Sequence, residues 1–289
     1  VTIETEGVVL VRVIEKVNKK PSTFGTIVLI IKRKENTTLA NAKDIKPDAL
    51  RILLAGEAGT GKTVFASTFP NAYFVDLDDG MLSVRGKDVN YISISQYETN
   101  DPDFDEIVKD LPKPKGGKRY QELSTFEKAQ AVIEHWANNL KAGDTLVIDS
   151  LTFYSQAAFD YIIETEKPKD NRMAYGAAQK LISTTLDLIR TRPCNIILIA
   201  HKKIKTDENG NVVEITPQTV GNALANILPS HFDEVWRMEV ELKKKGGEDH
   251  KTYVMHTCPT RKEKGKSRLR LPDRIEEPSY EKIMSLIEN

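Results

Sequence analysis

The chain has 289 residues, with 42 Lys and Arg against 42 Asp and Glu, and so carries no formal net charge. That balance implies no whole-molecule attraction to nucleic acid or anionic membrane, and any nucleic-acid contact must come from local clusters. Apolar content of 39% and charged content of 29% are those of a globular protein, long enough for one large α/β core and a small accessory element.

Residues 1–48 read as a separate β-rich element. Gly7 to Lys16 and Thr23 to Lys32 are β-rich runs with Pro21-Ser22 in the turn between them, as in an edge hairpin or a piece of a small barrel. A polar connector, Glu35 to Asp48, leads into the second unit, residues 49–289.

There Arg51-Ile52-Leu53-Leu54-Ala55 reads as a short buried strand, followed at once by Gly56-Glu57-Ala58-Gly59-Thr60-Gly61-Lys62-Thr63. This is the phosphate-loop pattern G-x-x-x-x-G-K-[ST] in its required setting of strand, glycine-rich turn and helix. Glycines let backbone N–H groups turn inward around phosphate oxygens, and the helix from about Lys62 to Ser67 points its positive end at the same anion. Lys62 is expected to reach the β- and γ-phosphates, Thr63 to ligate Mg²⁺, and Gly56 to Val64 to make up the binding loop. The spacing predicts a site for a nucleoside triphosphate.

Beyond the loop, strand and helix signals alternate, which predicts an α/β fold with a mostly parallel sheet. Strands are expected at Ala72–Leu77, Tyr91–Ile94, Leu146–Asp149 and Ile196–His201. Helices are expected from Ser124, with Glu127 at capping-box spacing, towards Leu140, at Thr152 to Glu166 and at Ala174 to Thr191. The second strand ends in Asp76-Leu77-Asp78-Asp79-Gly80, near the expected γ-phosphate. An acid there could polarise an attacking water, and Asp76, Asp78 and Asp79 compete for that role; a solvated turn closed by Gly80 would read the same way. Pro112 to Arg119 is a basic, loop-like segment.

Thr145 to Asp149 is an apolar strand ending in an acid. Such runs are common, but one that follows a phosphate loop is expected to supply the carboxylate that holds Mg²⁺ opposite Thr63. His201, at the tip of the Ile196–Ala200 strand, would stand on the same carboxyl edge, either sensing the γ-phosphate or simply lying at the surface.

After His201 comes a polar stretch with a turn at Asp207 to Asn211 and a helix candidate at Gly221 to Leu228. Glu234–Leu242 and Lys251–Cys258 are expected to pair as a hairpin across Gly246-Gly247, and a short helix, Tyr280 to Ile287, ends the sequence. Six of the ten positions from 261 to 270 are basic: Arg261, Lys262, Lys264, Lys266, Arg268 and Arg270. Such local charge suits a phosphate backbone, although a solvated hairpin edge also carries lysines. Cys194 and Cys258 have no ligand-like spacing and the five histidines are scattered, which speaks against a disulfide scaffold or structural zinc. Apolar runs are too short to span a bilayer and Val1-Thr2-Ile3-Glu4 is no signal peptide, so a cytoplasmic protein without a membrane partner is expected.

The loop at 56–63, the acid-tipped strand at 73–80, Ile148-Asp149-Ser150 and Ala200-His201, in that order, resemble RecA-like P-loop ATPases. The likeness spans roughly residues 49–275 and is greatest to short phage nucleotide-binding proteins that act in single-strand annealing. Met173-Ala174-Tyr175-Gly176, Leu228 to Val235, and Gly265-Lys266-Ser267-Arg268 before Leu271-Pro272 add to it. The resemblance implies an ATP- and Mg²⁺-dependent ATPase that assembles as a ring or filament on single-stranded DNA, encoded by a phage and working in the host cytoplasm. It places Asp78 where the family usually has a catalytic glutamate, a shorter acid, and His201 where many members have glutamine. It makes Lys202 to Asn226 a DNA-contacting loop, and makes Lys266 and Arg268 the cations that reach a neighbouring subunit's γ-phosphate. A helicase or helicase-loading motor, and a nucleotide-switched DNA-binding module with little turnover, are the alternatives on the same core.

Overall fold

The computed structural model describes residues 2–5, 8–11, 49–95, 122–245 and 248–287. It divides into two compact units, Val1–Pro47 and Asp48–Asn289. In the first, β1 (Thr2–Thr5) pairs antiparallel with β2 (Val8–Val11), Thr5 opposite Val8. The expected first run therefore contributes a strand that pairs with residues preceding it, because Thr2–Thr5 is itself rich in β-branched side chains. The run Thr23 to Lys32, the turn at Pro21-Ser22, the connector Glu35 to Asp48 and the basic segment Pro112 to Arg119 lie outside the described residues.

The second unit is built on a mostly parallel sheet. Its strands are β3 (Arg51–Gly56), β4 (Ala72–Asp76), β5 (Asn90–Ser93), β6 (Thr145–Asp149), β7 (Asn195–Ala200), β10 (Glu234–Lys245), β11 (Glu248–His256), β12 (Lys266–Ser267) and β13 (Arg274–Glu276). The order is β13-β11-β10-β3-β7-β6-β4-β5, with β12 also on β10. From β10 to β5 every neighbour is parallel, whereas β11, β12 and β13 are antiparallel.

Period-two alternation splits the apolar strand residues between two cores. Leu53, Val75, Leu146, Ile148, Ile196 and Leu198 face one side, where α2 (Thr125–Asn139), α3 (Leu151–Glu166) and α4 (Asn171–Ile189) cover the sheet. Ile52, Leu54, Phe74, Val147, Ile197 and Ile199 face the other, against α1 (Lys62–Ala66) and the terminal helix, α6 (Tyr280–Ile287). On that side Trp236 is fully buried, edge-on to Phe65 with ring centroids 5.9 Å apart. Each large side chain so buried contributes roughly 1.5–3 kcal/mol. The sheet is covered on both faces, so its parallel strands read as continuous apolar runs.

Helix ends follow their caps. Ser124 Oγ accepts from Glu127 N at 3.3 Å and Glu127 Oε2 accepts from Ser124 N at 2.9 Å, the reciprocal box expected from the sequence. Asp170 accepts from Arg172 N and Met173 N, so α4 starts three residues earlier than Ala174, at Asn171.

One stretch differs from expectation. Residues 202–217 form a β-hairpin, β8 (Lys202–Thr206) with β9 (Val212–Pro217), rather than a polar stretch with a turn. The turn was legible because Asp207 Oδ1 accepts from Asn209 N and Asn211 N. The strands were not, because exposure does not alternate along them: Lys203, Lys205 and Glu214 stay in solvent, and so do Ile204 and Val213. Next come α5 (Asn222–Ile227) and a 3-10 turn, Leu228–His231. The hairpin of β10 and β11 forms as expected; its Gly246-Gly247 turn lies outside the described residues.

Candidate active site

Four parallel strands deliver their carboxyl ends to one edge. β3 opens into the loop Gly56 to Thr63, β4 ends at Asp76, β6 at Asp149, and β7 at Ala200 just before His201. Asp76 and Asp149 stand directly opposite each other in the ladder between β4 and β6. Loops at this edge of an open α/β sheet hold its ligands.

Glycine is required at two loop positions. A methyl at Gly56 would come within 2.6 Å of Thr60 Oγ1 and 2.8 Å of the Met238 carbonyl oxygen. Gly61 has φ of 80° and a Tyr253 ring carbon 3.0 Å from where its Cβ would be. Glu57, Ala58 and Gly59 are exposed, and Val64 is partly so in the first turn of α1. Thr60 Oγ1 donates to the Glu57 carbonyl at 2.8 Å. Lys62 is 6% exposed, and its ammonium donates to the carbonyls of Gly56 at 3.1 Å and Glu57 at 2.7 Å. Burial lowers its pKa, opposed by the charges of Asp149 and Asp78.

Thr63 Oγ1 donates to Asp149 Oδ2 at 2.7 Å, which joins the loop to β6. Asp149 is 1% exposed; burial first, and the neighbouring Asp78 second, push its carboxyl up to about 7. Asp76 accepts from Gly80 N at 3.1 Å and is raised to about 6, chiefly by burial. Asp78 Oδ2 lies 3.4 Å from His201 Nε2, while Asp78 Oδ1 and Asp76 Oδ2 are buried without a hydrogen-bond partner. The third acid faces elsewhere: Asp79 accepts from Ser93 Oγ at 2.9 Å and from the Ser95 hydroxyl, tying the turn to the end of β5. Of the three acids, Asp76 and Asp78 share the loop's neighbourhood and Asp79 does not.

The donor set fits a hard divalent cation, since it consists of a hydroxyl and carboxylate oxygens, two of them unpartnered. Among the described residues no cluster of three His, Cys, Asp or Glu groups is arranged to hold a metal unaided. Phosphate and water oxygens would complete the shell of an ion arriving with nucleotide.

Lys266 and Arg268 lie away from this edge. β12 pairs with Glu234 and Val235, which stand level with Ile52 and Leu53 near the start of β3. Lys266 Nζ donates to the Pro229 carbonyl at 3.0 Å, and Arg268 pairs with Asp233. The chain does not bring this pair to its own loop. Lys202 also departs from the expected DNA-contacting set: its side chain is only 6% exposed, with Nζ 3.2 Å from both Glu239 and Glu263. Lys203 and Lys205 stay exposed, as do Arg261, Lys262 and Lys264. Sequence reasoning missed the cluster around Lys202 because its members, at 202, 237, 239 and 263, belong to three separate elements.

The AAA domain family matches residues 48–269. No curated protein matches the chain. Among solved structures, a KaiC-like protein of the hyperthermophilic archaeon Pyrococcus horikoshii OT3 is 15% identical with a TM-score of 0.36, covering 72% of this chain and 78% of its own. An ATPase from the type III secretion system of pathogenic bacteria is 13% identical with a TM-score of 0.35 over 67% of this chain, which spans about half (54%) of that protein's length. Both likenesses are loose.

Proposed function

The chain belongs to the AAA domain family of P-loop ATPases, and from that premise we propose that it hydrolyses ATP in assemblies on single-stranded DNA, in recombination or strand annealing of the phage type. The observation that carries the nucleotide half is the meeting, at one sheet edge, of Thr63 with Asp149 at 2.7 Å and of Asp78 with His201 at 3.4 Å. In this reading the loop's N–H groups and Lys62 seat the triphosphate, and Thr63 and Asp149 hold Mg²⁺. The ion would neutralise charge on the β- and γ-phosphates. Asp78 accepts a proton from the attacking water and holds it in line. His201 limits the rotamers of Asp78 and sits where a change at the γ-phosphate reaches the hairpin that follows it. Lys266 and Arg268, remote from their own loop, act on a neighbour's.

Exposed Lys203 and Lys205 on β8, with Arg261 and Lys262 on the loop before β12, support the DNA half. They offer cations to a backbone without aromatic platforms, which favours contact independent of base sequence.

The contact between Asp78 and His201 also favours a second reading, a nucleotide-switched module with little turnover, because the acid is one methylene shorter than glutamate. Hydrolysis measured with and without single-stranded DNA tests both. An ATPase on DNA gives a rate that rises with DNA and falls about 10²-fold or more in Asp78→Ala. One equal background rate in wild type, Asp78→Ala and Asp78→Glu would establish the switch, and a DNA-indifferent rate with no DNA binding would reject the recombination role.

A further inference from the structure

A buried ion cluster separates the exposed cations from the nucleotide edge. At its centre is Glu263, whose side chain is 7% exposed and sits 3.2 Å from Lys202 Nζ and 3.2 Å from Arg237 Nη1. Lys202 also pairs with Glu239 at 3.2 Å, and His256 Nε2 lies 3.6 Å from Glu239. Arg237 donates to the Cys258 carbonyl at 2.9 Å, but its Nε is buried without a partner.

Glu263 is the inward-facing member of a tight loop whose Arg261, Lys262 and Lys264 point outward. The loop is pinned at both ends. Thr260 N donates to the Glu263 carbonyl at 2.8 Å and Glu263 N to Thr260 Oγ1 at 3.0 Å. Any side chain at Gly265 would run into the Cys258 backbone. Ile215 N, on β9, donates to the Lys262 carbonyl at 2.8 Å. Between β9 and this loop lies a cleft of about 410 Å³, lined by Lys205, Arg261, Lys262 and Lys264, with two carboxylates, Glu214 and Glu263, and the loop-preceding residue Ala55 also in its wall.

On the other side of the cluster, Lys202 is one peptide bond from His201. His201 is held by its N–H to Thr152 Oγ1 at 3.0 Å and its carbonyl from Gln218 N at 2.8 Å, so its ring meets Asp78 in a fixed frame. An anion drawn into the cleft by Lys205, Arg261, Lys262 and Lys264 pulls on the loop that carries Glu263, whose own partners, Lys202 and Arg237, lie outside the lining. Two buried ion pairs then weaken together, and the Lys202 backbone shifts with them. We infer that Glu263 is a positioning residue, which makes the seating of His201 on Asp78 depend on whether the cleft holds a nucleic-acid phosphate backbone. The inference rests on the DNA reading above, to which it adds the residue through which DNA acts.

The test measures ATP turnover, with kcat and KM separated, with and without a single-stranded deoxythymidine oligonucleotide, and oligonucleotide affinity by fluorescence anisotropy. Glu263→Gln is compared with Lys202→Met/Glu263→Met, which removes both charges of one pair and leaves Arg237 with the Cys258 carbonyl, so thermal unfolding first establishes that each variant is folded. Both variants are expected to keep basal kcat and to bind the oligonucleotide at least as well as wild type, while the DNA-dependent rise in kcat shrinks about fivefold or more. A rise equal to wild type's in a folded variant overturns the inference and leaves the DNA reading standing. A wild type that neither binds nor responds to the oligonucleotide overturns both. Hydrogen exchange on the wild type needs no variant. Oligonucleotide should change protection at 260–265 and at 201–203 together, and a change confined to the exposed loop overturns the inference.

Discussion

Asp149 shows how this site sets function against stability. Burial and Asp78 raise its carboxyl to about 7 in the folded chain, while an unfolded chain releases that proton near pH 4. Between those values the folded state holds a proton that the unfolded state has lost, so the group's contribution to stability falls as pH rises through that window. Without nucleotide, Asp149→Asn should therefore match wild type near pH 4 and exceed it at pH 8 by on the order of 4 kcal/mol. Urea unfolding at both values checks this. The same variant should lose magnesium-dependent hydrolysis, because an amide cannot replace the carboxylate as a charged ligand. Lys62→Ala should abolish nucleotide binding, read with a fluorescent ATP analogue, while leaving the fold intact, since the ammonium's partners Gly56 and Glu57 are loop carbonyls open to water once it is removed.

The elements were legible to different degrees. Apolar strands such as Ile196–Ala200 declare themselves because a doubly covered sheet leaves them no polar face. The helix at Ser124 declares itself through its box, and Ser124→Ala should cost about 1 kcal/mol with no change in ATP affinity, by thermal unfolding and titration. β8 and β9 are hidden because solvent on both sides removes the alternation that marks a strand. β12 and β13, two and three residues long, are too short to carry any pattern. The phosphate loop tolerates less than its motif suggests. Gly56→Ala should abolish nucleotide binding as fully as Lys62→Ala, because the added methyl meets Thr60 and the Met238 backbone.

At the scale of the whole molecule, the proposed role of Lys266 and Arg268 on a neighbouring subunit follows from where the fold puts them. They sit at the amino-terminal end of the sheet, engaged with Pro229 and Asp233, while the phosphate loop opens at the carboxyl end. If they act on a neighbour, mixing inactive Arg268→Ala with inactive Lys62→Ala should restore part of the DNA-dependent ATPase, because some interfaces pair an intact loop with an intact arginine. Activity lost in neither variant alone, or not restored on mixing, would remove the pair from the mechanism. Particle size with ATP and single-stranded DNA should rise in parallel. No helix among the described residues is long and apolar enough to cross a membrane.

The sequence alone determined the phosphate loop, the acid of β6, the strand tip at His201 and the alternating core, because each is a local pattern of residue type and spacing. It could not choose among Asp76, Asp78 and Asp79, which differ only in where the turn after β4 points them; the fold turns Asp79 to Ser93 and Asp78 to His201. Nor could it separate a solvent-facing lysine from a buried one. Lys202 and Lys203 are neighbours in the chain, yet only the crossing of β8, β10 and the 258–265 loop buries one of them against Glu263. Charge pairing across elements is set by tertiary packing, and no spacing along the chain encodes it.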